Sequence, residues 1–233
     1  MKDLSIIIVA GGRGLRMESS LPKQYLMLHV KPILIWTIEN VYHSLPDDIE
    51  TEIILVRSRV DKRYVEEMLK EYTHDAIPLL FADGGDNRAE SVYNGLCLAS
   101  GNYVAIHDGV RPFVNPALLG RIWEARKHNA VIPAILPTDS IRISGNNGIF
   151  SSYPRADIRL IQTPQLFTNE TLKNAYKSYR DDPDERCTDD ASIVEKYTSS
   201  SPFIVDGDEL NIKITTPKDL YIADLFINKG LLK

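Results

Sequence analysis

The chain has 233 residues, of which 43% are hydrophobic and 25% charged, a composition typical of a globular protein rather than a disordered, collagen-like or membrane protein. Its formal net charge of -5 argues against a surface built to bind nucleic acid or an anionic membrane. No apolar run approaches the roughly 18 to 20 residues that a bilayer crossing needs. Two cysteines without metal-ligand spacing indicate a reducing compartment. We therefore expect a cytoplasmic protein whose partners are small molecules, not nucleic acid or membrane.

Short runs of β-branched residues alternate with segments of helical period through the first half of the chain. This alternation predicts an α/β fold in which helices cover both faces of a sheet. Proline at a first helical position and asparagine or aspartate before it mark several helix starts. The predicted strands are residues 4–10, 52–56, 77–81, 103–106 and 130–135, and the predicted helices are 32–45, 62–72, 87–100 and one beginning at 116.

The pattern changes after the strand at 130–135. Residues 139–143 and 149–153 flank the turn sequence Gly-Asn-Asn-Gly, which predicts a β-hairpin. Such an interruption is typical of a lid or an oligomer arm. We predict one domain over residues 1–233 with a projecting hairpin arm at about 138–163. Further elements are predicted as helices at 169–179 and 190–196, strands at 203–205 and 212–214, and a last helix from 216 to about 230.

A glycine-rich turn directly follows the first predicted strand. It reads Ala-Gly-Gly-Arg-Gly-Leu-Arg-Met and contains Ala10, Gly11, Gly12 and Gly14. Such a turn at the carboxyl end of a strand lets backbone N–H groups approach a phosphate. The turn lacks the last glycine of the dinucleotide fingerprint, and the chain contains no P-loop motif. We interpret it as a nucleotide-phosphate turn, with a simple glycine turn as the alternative.

Two cations follow within the same connection. Arg16 offers a planar fork of donors and Lys23 a compact charge, a combination suited to a polyphosphate in a phosphoryl-transfer reaction. Pro22 stiffens the backbone just before the lysine. A solvated lysine remains the alternative.

A second glycine turn, containing Gly84, Gly85 and Asp86, precedes a predicted helix. Backbone groups of this turn, with Ser91 one helical turn later, are candidates for contacts to a nucleotide base. A plain strand-to-helix turn is the alternative.

Asp108 lies just beyond the carboxyl end of the strand predicted over 103–106 and is a candidate ligand of Mg²⁺, which typically binds one or two carboxylates together with substrate phosphates. An ion pair with Arg111 is the alternative for this carboxylate. His107 has no partner histidine at ligand spacing, and we interpret it as structural.

Lys213 lies in the predicted strand 212–214, on the same face as Asn211 by the two-residue period. A lysine on an apolar strand is costly unless its ammonium group meets an anion or water, so we expect it to point into a cleft.

Together these segments resemble the cytidylyltransferases of the 2-C-methyl-D-erythritol 4-phosphate family, from residue 7 to residue 220. The matching motifs are A-G-G-R-G-L-R-M, P-K-Q-Y-L, G-G-D-N-R-A-E-S-V, H-D-G-V-R-P-F, Q-T-P-Q-L-F, T-D-D-A-S and N-I-K-I-T-T-P. The resemblance implies a Rossmann-like nucleotidyltransferase fold, a three-layer sandwich, and an enzyme that joins CTP to a polyol phosphate and releases pyrophosphate. With Asp108 as a candidate ligand, we expect Mg²⁺ as the cofactor. The first candidate reaction makes 4-diphosphocytidyl-2-C-methyl-D-erythritol in isoprenoid synthesis.

By the same resemblance, Arg16 and Lys23 match the residues that stabilise the pentacoordinate α-phosphorus, and Lys213 matches one that positions the polyol phosphate. Because cations must also offset the repulsion between the two phosphates, we predict Arg16, Lys23 and Lys213 as the catalytic residues. The residues that the resemblance assigns to the polyol phosphate are Asp139, Ser140, Arg142, Arg155 and Thr163. In the family the hairpin pairs two subunits and delivers its arginine to the neighbouring site, which implies a homodimer. The alternatives are a ribitol-5-phosphate cytidylyltransferase and a non-catalytic nucleotide-binding protein.

Overall fold

The computed structural model describes residues 2–12, 21–73, 76–145 and 148–231. Gly14 and Arg16, which we predict to lie in the nucleotide site, fall outside these ranges, as do the two asparagines of the hairpin turn.

Eight of the nine predicted strands are present in the described residues, together with four short strands that the sequence analysis does not predict. They are β1 (Leu4–Ala10), β2 (Met27–Leu28), β3 (Lys31–Pro32), β4 (Thr51–Arg57), β5 (Leu79–Asp83), β6 (Tyr103–Asp108), β7 (Ala130–Ile135), β8 (Ile141–Ser144), β9 (Phe150–Tyr153), β10 (Leu160–Ile161), β11 (Gln165–Thr168) and β12 (Phe203–Asp206).

All seven predicted helices are present in the described residues, and each begins within one residue of its predicted start. They are α1 (Ile33–His43), α2 (Lys62–Tyr72), α3 (Arg88–Leu96), α4 (Pro116–Glu124), α5 (Asn169–Asp181), α6 (Asp190–Tyr197) and α7 (Pro217–Asn228). The Asn115 side chain accepts the Leu118 N–H at 2.9 Å and starts α4, with Pro116 in the first turn. Thr216 and Asp219 form a capping box at the start of α7.

The main sheet runs in the order β10-β7-β11-β6-β1-β4-β5, with β12 also paired to β7. Strands β6, β1, β4 and β5 are parallel neighbours, so their carboxyl ends meet at one edge. The central strand β1 is apolar along almost its whole length because it is covered on both faces. Residues of α1, α2 and α4 pack on one face and residues of α3, α5 and α6 on the other. The predicted three-layer α/β fold is confirmed.

Strand β11 is absent from the sequence prediction. It lies antiparallel between β6 and β7 and so interrupts the parallel order. Its four residues follow Pro164 and run directly into α5, so they present no alternating pattern long enough to indicate a strand.

Three predicted elements differ from the structure. The strand predicted at 212–214 is wrong: the Ile214 N–H donates to the Val110 carbonyl at 3.0 Å, but the segment forms no ladder. Asn211 is consequently buried while Lys213 is exposed, rather than both sharing one strand face. Strand β5 lies two residues later than predicted, and α3 ends at Leu96 rather than at residue 100.

The hairpin is present as β8 and β9, which pair only with each other in the described part of the chain. Most of its side chains are exposed. None of the helices in the described ranges has the length and apolarity that crossing a membrane requires.

Candidate functional site

A cavity of about 690 Å³ opens at the edge where the carboxyl ends of β6, β1, β4 and β5 meet. Open α/β sheets bind ligands at this edge because the loops that follow the strands converge there. The lining contains predicted site residues from four distant segments: Ala10, Gly11, Gly12, Lys23, Gly85, Asp86, Ser91, Asp108 and Lys213.

The two glycine turns contact each other at the floor of this cavity. A side-chain carbon added to Gly11 would lie 3.4 Å from the Gly84 Cα, and one added to Gly84 would lie 3.3 Å from the Arg57 carbonyl oxygen. The two turns therefore pack directly against each other, and a side chain at Gly84 would press on the Arg57 carbonyl. Gly84 therefore supports the turn from behind, while Gly85 and Asp86 line the cavity.

Ser91 ties the second turn to the first turn of α3. Its hydroxyl accepts the Gly85 N–H at 3.0 Å and donates to the Asn87 carbonyl at 2.9 Å. The side chain is thus used to shape the turn, although it also borders the cavity.

Lys23 is held at the cavity by its neighbour in sequence. Pro22 precedes a short 3-10 helix at Lys23–Tyr25, and the Gln24 side-chain amide donates to the Ala10 carbonyl at 2.7 Å. Because Gln24 is buried, this bond fixes the lysine's backbone against the end of β1. The sequence analysis does not identify Gln24 as a site residue. Its position directly after Lys23 could have indicated this role.

Asp108 lies among three cations. The Lys213 ammonium is 2.8 Å from one carboxylate oxygen, and guanidinium nitrogens of Arg88 and Arg111 lie at 3.6 Å. Burial by itself would raise the pKa of this carboxyl, but the three cations together hold it well below its usual range. The aspartate is therefore ionised, and the ion pair with Arg111 that we left open is present.

Arg88 is a site residue that sequence reasoning missed. It lines the cavity, and its guanidinium donates to both carboxylate oxygens of Asp190 at 3.0 and 2.7 Å. Asp190 is completely buried and also accepts the Tyr176 hydroxyl at 2.5 Å. A buried carboxylate thus fixes Arg88, which in turn faces Asp108. Its position just after the second glycine turn could have indicated that this arginine belongs to the site.

His107 and Thr163 form the layer behind Asp108. The Thr163 hydroxyl accepts the Asp108 N–H at 3.1 Å and lies 3.1 Å from His107 Nδ1, while His107 Nε2 lies 3.0 Å from the Arg111 carbonyl. Burial lowers the pKa of His107 to about 4, so the ring is neutral. The structure places Thr163 here, outside the residues that line the cavity, and gives His107 the structural position that we predicted.

The segment that carries Lys213 is anchored by buried polar contacts. Arg111 Nη1 donates to the Asn211 carbonyl at 2.7 Å, and the Asn211 side-chain amide donates to the Thr163 carbonyl at 2.8 Å. These bonds position the lysine at the cavity without a strand.

The four predicted substrate residues of the hairpin region lie apart from the cavity. Asp139 and Ser140 precede β8, Arg142 lies within it and Arg155 follows β9, and all four are exposed. Arg155 Nη1 donates to the Thr138 carbonyl at 2.6 Å, which holds it at the base of the arm. Within one described chain, these residues are not brought together with Lys23 and Lys213.

A protein-only metal centre is absent from the described residues, because no three His, Cys, Asp or Glu side chains cluster suitably there. Asp86 and Asp108 are the two carboxylates of the cavity lining, and the neighbouring cations keep Asp108 ionised. One or two carboxylates fit a Mg²⁺ ion that completes its coordination with water and substrate phosphates. In chemical terms the cavity combines backbone N–H groups, two lysines and an arginine, a set suited to a polyphosphate.

Comparison with known proteins agrees with this geometry. The family model described as 2-C-methyl-D-erythritol 4-phosphate cytidylyltransferase matches residues 4–229. Relatives of that name from Azobacteroides pseudotrichonymphae and Bacteroides fragilis are each 43% identical, covering 98% and 95% of this chain and 100% and 98% of their own length. A solved 4-diphosphocytidyl-2C-methyl-D-erythritol synthase from Anaerococcus prevotii is 30% identical, with a TM-score of 0.81, and covers 97% of this chain and 99% of that one.

Sequence and fold therefore agree over nearly the whole chain, and the resemblance found in the motifs is confirmed. The match includes both glycine turns and the segments that carry Lys23, Asp108 and Lys213. The chain belongs to the 2-C-methyl-D-erythritol 4-phosphate cytidylyltransferase family of nucleotidyltransferases.

Proposed function

We propose that this chain transfers CMP from CTP to 2-C-methyl-D-erythritol 4-phosphate, giving 4-diphosphocytidyl-2-C-methyl-D-erythritol and pyrophosphate in isoprenoid biosynthesis. Family membership supports the reaction. The observation that carries it in this chain is the convergence of Lys23, Lys213 and the two glycine turns on one cavity. A chain that had kept only a glycine turn would have no reason to bring distant cations together.

The acceptor needs no general base. A phosphate monoester has a second pKa near 6 and is mostly a dianion at neutral pH, so its oxygen attacks the α-phosphorus of CTP directly. The new P–O bond forms as the bond to pyrophosphate breaks. Two anions must approach in line, and preorganised cations offset their repulsion and the charge that develops on the leaving group. We assign this role to Lys23, Lys213 and, by resemblance, Arg16.

The ion pair between Lys213 and Asp108 bears on substrate binding. The lysine ammonium is held by Asp108 at 2.8 Å, with 40% of the lysine side chain exposed. We propose that the lysine turns from this carboxylate to a substrate phosphate, and that Asp108 then helps to hold Mg²⁺ together with the triphosphate. Mg²⁺ would supply charge neutralisation on the phosphate oxygens.

A homodimer would supply what one chain lacks at the cavity. Apolar side chains on the hairpin are exposed, including Ile143 at 46% and Phe150 at 58%. Exposed apolar patches of this kind are typical of interaction surfaces. We propose that the hairpins pair two subunits and bring Arg155 of each chain to the cavity of the other. A cytoplasmic location is consistent with the two free cysteines.

The test is a pyrophosphate-release assay on the purified chain with CTP, Mg²⁺ and either 2-C-methyl-D-erythritol 4-phosphate or ribitol 5-phosphate. We expect release with the first acceptor, and much slower release with the second or when UTP replaces CTP. Preferred release with ribitol 5-phosphate would assign the alternative acceptor. Binding of CTP without release from either acceptor would indicate a non-catalytic nucleotide-binding protein.

A further inference from the structure

A second groove, of about 460 Å³, lies beside β5 at the outer edge of the main sheet. Its lining includes three cations, Arg57, Arg59 and Lys62, and two apolar side chains, Phe81 and Leu98. It shares no described residue with the lining of the cavity assigned to CTP. The proposed reaction therefore leaves this groove without a role.

Arg57 is short of acceptors at this position. It is only 7% exposed, its Nη1 donates to Glu66 at 3.1 Å, and its guanidinium lies 4.4 Å from the centre of the Phe81 ring. Its Nε is buried without a hydrogen-bond partner among the described residues. The Nε is closed off from the groove, so an anion there would act on the charge of the guanidinium rather than on this atom, and it would be stabilising because Glu66 is the one carboxylate paired with Arg57 among the described residues.

The charge of the groove favours a dianion. The three lining cations face one lining carboxylate, Asp83, which pairs with Lys62 at 3.0 Å. Arg59 is exposed and has no ion pair within the described ranges, and Glu66, the partner of Arg57, lies outside the lining. A phosphate monoester, with about -1.5 to -2 charges at pH 7, complements this excess.

The groove also has an apolar part that inorganic phosphate would not use. Phe81 and Leu98 line the groove, and they are 39% and 44% exposed, so an apolar group in the groove could cover them. We propose that the groove binds a small organic phosphate, whose phosphate contacts Arg57, Arg59 and Lys62 and whose apolar group covers Phe81 and Leu98.

In the experiment, phenyl phosphate is added to the full chain, whose leucine methyl groups carry an isotope label. The signals of Leu98 are followed by NMR. Parallel titrations use inorganic phosphate and phenol, which carry only the charged or only the apolar half. We expect saturable shifts with phenyl phosphate and binding at least several-fold weaker with either half. Since the signal reports on the groove itself, the result does not depend on whether the chain has cytidylyltransferase activity.

Arg59→Ala is the decisive variant because Arg59 is exposed and its loss leaves the core intact. We expect it to weaken phenyl phosphate binding about tenfold, the scale of one charge-assisted contact. Arg63→Ala is the matched control, since Arg63 lies on α2 outside the groove and its side chain is 91% exposed. Equal affinity in the Arg59 variant and the wild type would overturn the site, and equal affinity for inorganic phosphate would overturn its apolar half.

Discussion

The cavity and the hairpin arm use charged residues in opposite ways. Around the cavity, buried partners hold the charged residues. Asp190 holds Arg88, and Arg111, which donates to the Asn211 carbonyl, lies beside Asp108. On the arm, Arg142 is exposed on a two-stranded sheet that is separate from the main sheet, and Asp139, Ser140 and Arg155 are exposed just outside its strands. A two-stranded hairpin has little stability of its own, so its side chains take a defined position only when another surface covers them.

This difference indicates which part of the proposed active site a single chain can form by itself. Lys23, Lys213 and the described parts of the two glycine turns are organised within the chain by contacts between distant segments. The arm residues proposed for the polyol phosphate are not, which is the physical reason to expect a second subunit. The following changes test each side of the comparison.

Asp190→Asn should produce the largest loss of stability. The change removes the buried charge that holds Arg88 through two hydrogen bonds. Because Arg88 is about a third exposed and keeps Asp108 at 3.6 Å, the loss in the free energy of unfolding should be on the order of 2–3 kcal/mol, the scale of hydrogen bonds to a charged group. Arg142→Ala on the arm is the control, and it should change that free energy by less than about 0.5 kcal/mol. Denaturant unfolding monitored by circular dichroism measures both, and similar losses in the two variants would contradict the contrast.

Lys23→Ala should lower turnover at saturating CTP by on the order of a hundredfold, the scale for losing one preorganised electrostatic contact. The Gln24 anchor to Ala10 remains, so the fold should be unchanged. Lys218→Ala, which removes an exposed lysine at the start of α7, should keep wild-type turnover. Steady-state pyrophosphate release measures this effect. Near-normal turnover of the Lys23 variant would remove this residue from the mechanism.

Stability should fall as the pH drops from about 6.5 towards 4, because burial lowers the pKa of His107 in the folded chain to about 4. Between pH 6.5 and pH 4 the histidine binds a proton in the unfolded chain but not in the folded chain. The free energy of unfolding should therefore be about 2 kcal/mol lower at pH 5 than at pH 7. His107→Gln should flatten this part of the profile, while His128→Gln, at an exposed position, should keep it. The free energy of unfolding measured at several pH values is the readout. An unchanged slope in the His107 variant would assign the dependence to other groups.

Arg155→Ala should lower turnover about tenfold or more, the scale of one lost charge-assisted contact. If the arm acts on the neighbouring subunit, mixing this variant with Lys23→Ala should restore activity. In a random mixture half of the dimers contain one of each chain, and each has one intact site, so about a quarter of wild-type activity is expected. Activity that stays at the level of the separate variants would show that the arm does not act across the dimer.

The buried strands were the most predictable part of the fold. Strands β1 and β7 occupy the predicted residues because continuous apolar runs bounded by turn residues have one stable placement, inside a covered sheet. Short segments were not predictable in this way. Strand β11 and the extended segment at Lys213 depend on which neighbours they meet, and four or five residues carry too little periodicity to encode that choice.

The candidate site divides similarly. The glycine turns, Lys23, Asp108 and Lys213 are recognisable from the sequence because their residue types and motif order carry the chemistry. Their convergence on one cavity, and the roles of Gln24 and Arg88 beside them, come only from the tertiary structure. The physical reason is that a turn's backbone shape is a local property. A charge becomes a binding group or a structural one according to the buried partners that folding brings within reach.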